Sequence, residues 1–442
     1  MDNRIFSREQ LKKLIIPLII EQVLALTVGM IDAIMVSSAG ESAMSGVSLV
    51  DAIAVLIINL FAAFAAGGAI IAGIYIGAKD KKQANFAATQ LVNIIFIISI
   101  IITIICLILN ETLLRAVFGE VDREVMKSAV AFFYMTILSF PFIALFNAGA
   151  ALFRSMGNSK VSMINALIMN VVNFIGNLIF IYGCHWGAFG SGLATLIARF
   201  IAAMAVMIML RNATRIISVR SYKFWKLDFS MVKRILGIGL PNGLENCFFQ
   251  LGKLILISYV ATMGTSSIAA NGVAQSLAGI QVIPAVAMGF AITTVVAQCV
   301  GAGDYPQAKF YIKRLLKMAY LCIFFLNILI IAVLIPILSV YHLSGETLSL
   351  AHTVLLIHGI SAIFLWPMAF ALPSAFRSAG DVKYPMVISI ISMIIFRIGG
   401  AYLIGHFTNL GLIGVWIAMP IDWLFRTFCF IWRYKRGKWQ KF

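Results

Sequence analysis

Apolar residues run along this chain in long uninterrupted stretches, separated by short polar or charged segments. Because an α-helix rises about 1.5 Å per residue, roughly 20 consecutive apolar residues cross the hydrocarbon core of a bilayer. The runs are continuously apolar rather than alternating, which excludes a transmembrane β-barrel. We predict twelve membrane-spanning helices, at approximately 14–37, 46–77, 86–109, 127–152, 160–183, 188–210, 232–262, 270–302, 313–338, 350–376, 384–404 and 412–432.

The composition leads to the same class of protein. Hydrophobic residues make up 62% of the chain and charged residues 12%, whereas soluble domains average about 45–50% apolar and about 25% charged residues. A soluble protein with an unusually apolar core would still need polar stretches between its apolar ones. We therefore predict an all-α integral membrane protein.

Positive charge is distributed unevenly over the predicted loops. Of the 34 lysines and arginines, only three lie in predicted loops on the side opposite the termini: Arg115, Arg123 and Lys127. Those inside predicted spans are Arg199, Lys253, Arg397 and Arg426. Because cytoplasmic loops carry the excess of Lys and Arg, both termini are predicted to lie in the cytoplasm. This bias also explains the formal net charge of +17 without a nucleic-acid partner.

The second half of the chain repeats the first at a nearly constant offset. The matching segments are 17–21 with 241–245, 77–80 with 301–304, and 153–157 with 376–380. Each half contains an even number of predicted spans, so both halves enter the membrane from the same side and are parallel repeats. We predict two six-helix lobes, 1–211 and 232–442, joined by a basic cytoplasmic linker at 212–231.

Two six-helix lobes are typical of alternating-access transporters. A channel or a receptor needs no internal duplication, and an integral-membrane enzyme should show a catalytic cluster. The sequence contains no H-E-x-x-H motif, G-x-S-x-G motif or Walker loop. Its six cysteines and five histidines have no disulfide-like or metal-ligand spacing. We therefore expect no enzymatic activity and no cofactor, and an ion gradient or the substrate's own gradient as the source of energy.

Several of these segments resemble the motifs of a known family. Pro17 opening the first span, Asp32 further along it and the following Gly40 look like the first-helix signature of the multidrug and toxic compound extrusion (MATE) family. The segments that resemble its loop motifs are Gly77-Ala-Lys-Asp80, Phe153-Arg-Ser-Met-Gly157 and Phe376-Arg-Ser-Ala-Gly380-Asp381. The resemblance is to prokaryotic members and spans essentially the whole chain, including both lobes.

The resemblance implies a secondary antiporter that exports amphipathic, mostly cationic organic compounds in exchange for H⁺ or Na⁺. We expect a monomer in the bacterial plasma membrane, with the lipid bilayer and a small organic substrate as its partners. Two other functions stay open. One is a flippase for a lipid-linked precursor in the same superfamily, which would need cationic side chains to hold a pyrophosphate. The other is a channel or receptor.

Asp32 is the best single candidate for ion coupling. A charge at membrane depth costs roughly 2.5–3.5 kcal/mol on insertion scales, so an acid within a span usually has a function. The alternative is a hydrated carboxylate near the outer end of the span. Protonation of Asp32 would remove the charge that holds a cationic substrate. A Na⁺ ion could instead bind there, with Asn carbonyls completing an oxygen shell.

Glu21 and Glu245 are the other two acids that we assign to cation or proton coupling. Glu21 lies three helical turns before Asp32 on the same helix face, about 16 Å away. Glu245 is its repeat equivalent and opens the seventh span in the same way. The alternative is a symmetric structural role for both, such as binding backbone groups near Pro17 and Pro241.

Three asparagines of the fifth span are costly in lipid unless they face protein or water. Asn170, Asn173 and Asn177 therefore predict either the polar lining of a cavity or a set of interhelix hydrogen bonds. In many prokaryotic relatives an Asp stands at the position of Asn177. The resemblance then implies one titrating group in this lobe, with Asn173 and Asn177 as its neighbours.

The basic residues within spans have different predicted partners. We expect Lys253 to line the substrate cavity, where it would favour anionic or zwitterionic compounds, or else to pair with an acid of another helix. Asp422 and Arg426 are four residues apart, which predicts an ion pair within one helix. Arg199 and Arg397 have no acid at such a spacing and are expected to pair across helices.

Overall fold

The computed structural model describes residues 4–119, 121–212, 214–219 and 226–441. In these ranges all regular secondary structure is helical. The α-helices are α1 (Arg8–Ser37), α2 (Glu41–Gly77), α3 (Lys81–Ile108), α4 (Asn110–Phe118), α5 (Arg123–Leu138), α6 (Phe140–Ser155), α7 (Ser159–Asn177), α8 (Gly187–Leu210), α9 (Phe229–Ala261), α10 (Thr265–Gly301), α11 (Tyr305–Ala332), α12 (Leu334–Ser339), α13 (Gly345–Trp366), α14 (Leu372–Ser378), α15 (Lys383–Ser392), α16 (Gly400–Phe407) and α17 (Leu412–Lys435). The π-helical segments are Leu178–Gly183, Pro367–Ala371 and Met393–Gly399, and a 3₁₀ turn follows at Lys438–Gln440.

All twelve predicted spans fall on helices of the described ranges. Ten helical segments there are long and apolar enough to cross a membrane, and α5 together with α6 would form an eleventh. The remaining predicted span is α9, in which polar residues such as Glu245 and Lys253 interrupt the apolar sequence. The chain is thus a multi-pass membrane protein. The cytoplasmic placement of both termini stays a prediction.

The fourth predicted span consists of two helices rather than one. α5 and α6 meet at Ser139 with a bend of 47°. Pro141 is the second residue of α6, and proline is tolerated in the first turn of a helix but not in its interior. The proline therefore favours a new helix start at this point.

The described chain forms two compact units that divide inside α9. One unit comprises Arg8–Gly243, and the other comprises Leu244–Phe442 with Met1–Ser7. The first half of α9 packs in the first unit, where a Cβ at Gly67 would meet the backbone nitrogen of Gly239 at 2.7 Å. The boundary between the sequence repeats was predicted in the linker 212–231, of which residue 213 and residues 220–225 lie outside the described ranges.

Equivalent loops of the two halves are built in the same way. The side chains of Asp80 and Asp304 cap α3 and α11, each accepting from the backbone N–H three residues later at 3.0 and 2.9 Å. Gly40 and Gly264 precede α2 and α10 with φ angles of 108° and 95°. Glycine adopts such angles without steric cost. The repeat seen in the sequence is therefore also a repeat of local structure.

The cores of the two units centre on the long helices α2 and α10. α2 packs against α3, α5 and α6, and α10 packs against α11, α13 and α14. Many of their buried residues are Ala and Gly, which allow neighbouring helix backbones to approach closely. Close packing matters here because lipid supplies no hydrophobic driving force between helices.

Candidate functional site

A cavity of about 410 Å³ lies within the unit Arg8–Gly243. Helices α1, α2, α5, α7 and α8 contribute its lining, and its apolar walls include Val28, Met44, Phe132 and Met169. The polar and charged residues that line it are Asp32, Ser48, Asp51, Thr136, Asn170, Asn173, Ser191, Thr195 and Arg199. We refer to this space as the acidic cavity, because two carboxylates and one guanidinium line it.

Two amides of α7 hold the carboxylate of Asp32. The Nδ2 of Asn177 donates to Oδ1 of Asp32 at 2.7 Å. Asn173 satisfies its hydrogen bonds when its amide nitrogen faces Asp32, where it donates to Oδ1 at 2.7 Å and to Oδ2 at 3.1 Å. In the same orientation its oxygen accepts from Oγ1 of Thr195 at 3.1 Å. The structure thus brings together Asp32, Asn173 and Asn177.

Helical spacing explains why both amides reach one carboxylate. Asn173 and Asn177 are four residues apart and therefore lie on the same face of α7. Asn170, one turn earlier, lines the same cavity, whereas Asn177 is fully buried. A π-helical segment begins directly after Asn177, at Leu178–Gly183, and such segments are frequent at functional sites.

Asp51 and Arg199 also line the acidic cavity, and sequence reasoning did not assign them to it. Arg199 donates from Nη1 to Oγ of Ser139 at 2.7 Å, so its hydrogen-bond partner is a hydroxyl rather than the carboxylate that was expected. The sequence feature that could have indicated this role is their position inside predicted spans. Ionisable residues there usually face a cavity or the interior of the helix bundle.

Glu21 lies in a separate network within the same unit. Its Oε1 accepts from Nη1 of Arg154 at 2.9 Å, and its Oε2 accepts from Oγ of Ser162 at 2.7 Å. The carboxylate side chain is only 11% exposed, and Glu21 is not among the residues that line the acidic cavity. The structure therefore does not bring Glu21 together with Asp32.

Glu245 lies in a matching network in the other unit. Arg377 donates to its two carboxylate oxygens at 3.0 and 3.2 Å, and Ser389 donates to Oε1 at 2.8 Å. The duplication of a carboxylate, a guanidinium and a hydroxyl agrees with the symmetric structural role that was the alternative for both acids. Their role in coupling stays a prediction.

Lys253 of α9 lines a second cavity, of about 220 Å³, in the unit Leu244–Phe442. Within the described ranges its ammonium forms no ion pair, and it lies 5.6 Å from the ring centroid of Phe249. The predicted pair of Asp422 and Arg426 is confirmed, with Nε and Oδ1 2.9 Å apart. Arg397 reaches the same carboxylate from another helical segment at 3.9 Å, as expected for a cross-helix pair.

Comparison with known proteins identifies the family. A family model described as MatE matches residues 17–179 and 241–403, once in each half of the chain. A probable multidrug resistance protein YoeA of Bacillus subtilis is 26% identical over 440 residues, which cover 96% of this chain and 93% of the relative. A probable multidrug resistance protein NorM of Thermotoga maritima is 25% identical over 443 residues, with coverages of 98% and 93%.

A solved structure has the same fold over its full length. The crystal structure of MATE in complex with MaL6 superimposes with a TM-score of 0.91 at 22% sequence identity. The match covers 98% of this chain and 97% of that chain. The helical architecture of this chain therefore agrees with a known fold.

Proposed function

The chain belongs to the MatE family, and on this premise we propose that it is a secondary antiporter that exports amphipathic, mostly cationic organic compounds. Two lobes would alternate in access to the two sides of the membrane, and transport rather than enzymatic catalysis would be the activity. The observation that carries this proposal is the acidic cavity, in which two amides hold the Asp32 carboxylate. The names of the two relatives, both probable multidrug resistance proteins, support it.

The lining of the acidic cavity suits an amphipathic cation. Asp32 and Asp51 outnumber Arg199, so the charged residues that line it sum to a formal charge of −1. Two methionines, Met44 and Met169, lie in the apolar wall, and flexible methionine side chains adapt to ligands of different shape. The volume of about 410 Å³ lies within the range of roughly 300–1,000 Å³ usual for small-molecule sites.

The hydrogen bonds around Asp32 leave one carboxylate oxygen open to a proton as the coupling ion. Its Oδ1 accepts both short bonds, at 2.7 Å each from Asn177 and Asn173. A proton could therefore bind at Oδ2 without breaking either of them. It would neutralise the carboxylate that attracts a cationic substrate, so proton entry and substrate release would be linked.

A sodium ion fits this arrangement less well. Na⁺ prefers oxygen ligands, and both amides turn their nitrogens toward the carboxylate. Asn173 and Asn177 would have to rotate before their oxygens could complete a shell with Asp32. We therefore propose H⁺ exchange.

The acidic cavity itself does not fit the flippase alternative. A lipid-linked pyrophosphate requires an excess of cationic side chains, whereas carboxylates are in excess in this cavity. No observation in the described ranges favours a channel or a receptor over a transporter. Antiport is therefore the function that we put to the test.

Reconstituted protein would test the coupling ion directly. Proteoliposomes are given either a pH gradient at equal Na⁺ or a Na⁺ gradient at equal pH, and the movement of a cationic dye is followed. We expect the pH gradient alone to drive accumulation, and a protonophore to abolish it. Accumulation driven by Na⁺ at equal pH would overturn H⁺ coupling, and dye movement that ignores both gradients would overturn antiport.

A further inference from the structure

The second cavity, within the unit Leu244–Phe442, carries the opposite charge. Lys253 of α9 and Arg397 of the π-helical segment Met393–Gly399 both line its volume of about 220 Å³. No carboxylate is among the residues that line it. We refer to this space as the basic cavity.

The positive charge of the basic cavity is only partly compensated. Within the described ranges Oδ2 of Asp422 is the carboxylate oxygen that faces Arg397, at 3.9 Å, and it lacks a hydrogen-bond partner. The other oxygen, Oδ1, accepts from Arg426 at 2.9 Å and from the hydroxyl of Ser392. Arg397 and Arg426 therefore share one carboxylate, and Lys253 forms no ion pair within the described ranges. Burying an uncompensated charge is costly, so an anion in this cavity would relieve a cost that the folded chain otherwise bears.

Two buried N–H donors of the lining lack a hydrogen-bond partner in the described ranges. They are Nε of Arg397 and Nε1 of Trp423, whose side chains belong to residues that are only 4% and 2% exposed. Buried donors are nearly always satisfied, and each unsatisfied one costs roughly 1–3 kcal/mol. Both residues line the basic cavity, so an acceptor group bound there, such as a carboxylate, would lie beside their side chains.

Aromatic rings form much of the remaining wall. Trp366 and Phe370 stack on each other with centroids 4.9 Å apart, and both line the cavity together with Trp416 and Phe249. Such walls bind planar apolar groups. The volume lies below the usual range for drug-sized ligands of roughly 300–1,000 Å³, which favours a ligand with a single ring.

The basic cavity occupies the position that the repeat assigns to the acidic cavity. At the offset that relates Pro17 to Pro241, Arg397 stands at the place of Asn173, and Lys253 at the place of Gly29. Asn173 and Gly29 both line the acidic cavity. The two cations therefore stand at positions whose repeat equivalents also line a cavity.

We propose that the basic cavity is a binding site for a small aromatic carboxylate. Lys253 and Arg397 supply the countercharge, Nε of Arg397 and Nε1 of Trp423 donate to the carboxylate oxygens, and the ring packs against Trp366 and Phe370. This site goes beyond the cation export proposed for the acidic cavity. It concerns binding alone and does not depend on coupling at Asp32.

Direct binding to the full-length protein in lipid nanodiscs tests the proposal. Radiolabelled benzoate is the probe, and unlabelled benzoate, neutral benzamide and cationic benzylamine compete for it. We expect benzoate to compete far better than benzamide or benzylamine. Because a hydrogen bond to a charged group contributes roughly 1.5–3 kcal/mol, Lys253→Met should weaken benzoate binding about tenfold or more.

Three further variants separate charge from packing. Lys253→Arg keeps the charge and should retain binding, whereas Lys317→Met on the exposed face of α11 is the matched control and should have no effect. Trp423→Phe keeps an aromatic side chain, although a smaller one, and removes the N–H; it should weaken binding about fivefold. The proposal is overturned if wild-type protein binds no benzoate, if benzylamine competes as well as benzoate, or if Lys253→Met and Trp423→Phe both bind like wild type.

Discussion

The acidic and basic cavities stand at equivalent positions of the internal repeat but have opposite chemistry. Their equivalent lining residues are Gly29 and Lys253, Asp51 and Gln275, Asn173 and Arg397, Thr195 and Met419, and Arg199 and Trp423. The same helical positions therefore face a cavity in both units, while the side chains differ at each. Duplication has preserved the frame of the cavity and left its lining free to change.

Other positions kept their chemistry in both units. Glu21 with Arg154 and Glu245 with Arg377 form nearly identical buried ion pairs, at 2.9 and 3.0 Å. These ion pairs differ from the cavity linings, so the spans contain two kinds of polar residue. The residues of these two ion pairs, which join helices, are alike in both units, whereas the residues that line a cavity are different.

The largest expected effect of a substitution is the loss of one of these buried pairs. Glu21→Gln or Glu245→Gln leaves a guanidinium uncompensated, which typically costs about 3–5 kcal/mol of folding free energy. Thermal unfolding of the purified variants should therefore show a large loss of stability in both. Glu111→Gln removes an exposed pair with Arg115 and is the control, with an expected cost of about 1 kcal/mol or less.

The same variants also test whether Glu21 and Glu245 stabilise the fold or couple transport to the gradient. If Glu245→Gln unfolds like wild type but no longer couples transport to the gradient, Glu245 is a coupling group rather than a structural one. The symmetric role of the two acids would then be wrong, and the second lobe would have its own ion site.

A smaller effect is expected for the amides around Asp32. Asn177→Ala removes a 2.7 Å hydrogen bond to the carboxylate, and bonds to charged groups contribute roughly 1.5–3 kcal/mol. Initial rates of pH-driven dye transport should fall about tenfold. Asn170→Ala, which changes the lining of the same cavity without removing a bond to Asp32, should change the rate much less. Equal losses in both variants would indicate a general effect on cavity shape.

The membrane-spanning helices could be predicted because apolar runs of sufficient length have few alternatives in a bilayer. The ion pair of Asp422 and Arg426 could also be predicted, since both residues lie on one helix. The break between α5 and α6 was missed, although Pro141 marks its position. Hydrophobicity alone does not distinguish one straight helix from two bent ones.

The composition of the cavities could be predicted only in part. Asp32, Asn173 and Asn177 could be grouped because the family resemblance places their spans side by side. Asp51 and Arg199 could not be assigned to the same cavity from the sequence. The rotation of a helix about its axis decides which of its faces lines a cavity, and the sequence does not give that rotation. The partner of Glu21, Arg154, is 133 residues away, and no local pattern reports such a contact.

The central claim is that the Asp32 carboxylate couples substrate export to proton entry. The most direct measurement compares pH-driven dye efflux by wild-type protein and Asp32→Asn in proteoliposomes, with Glu124→Gln at the exposed start of α5 as the control. We expect that Asp32→Asn inserts and folds but no longer concentrates the dye, whereas Glu124→Gln transports like wild type. Wild-type accumulation by Asp32→Asn would show that Asp32 is not the coupling residue, and Glu245 would become the candidate.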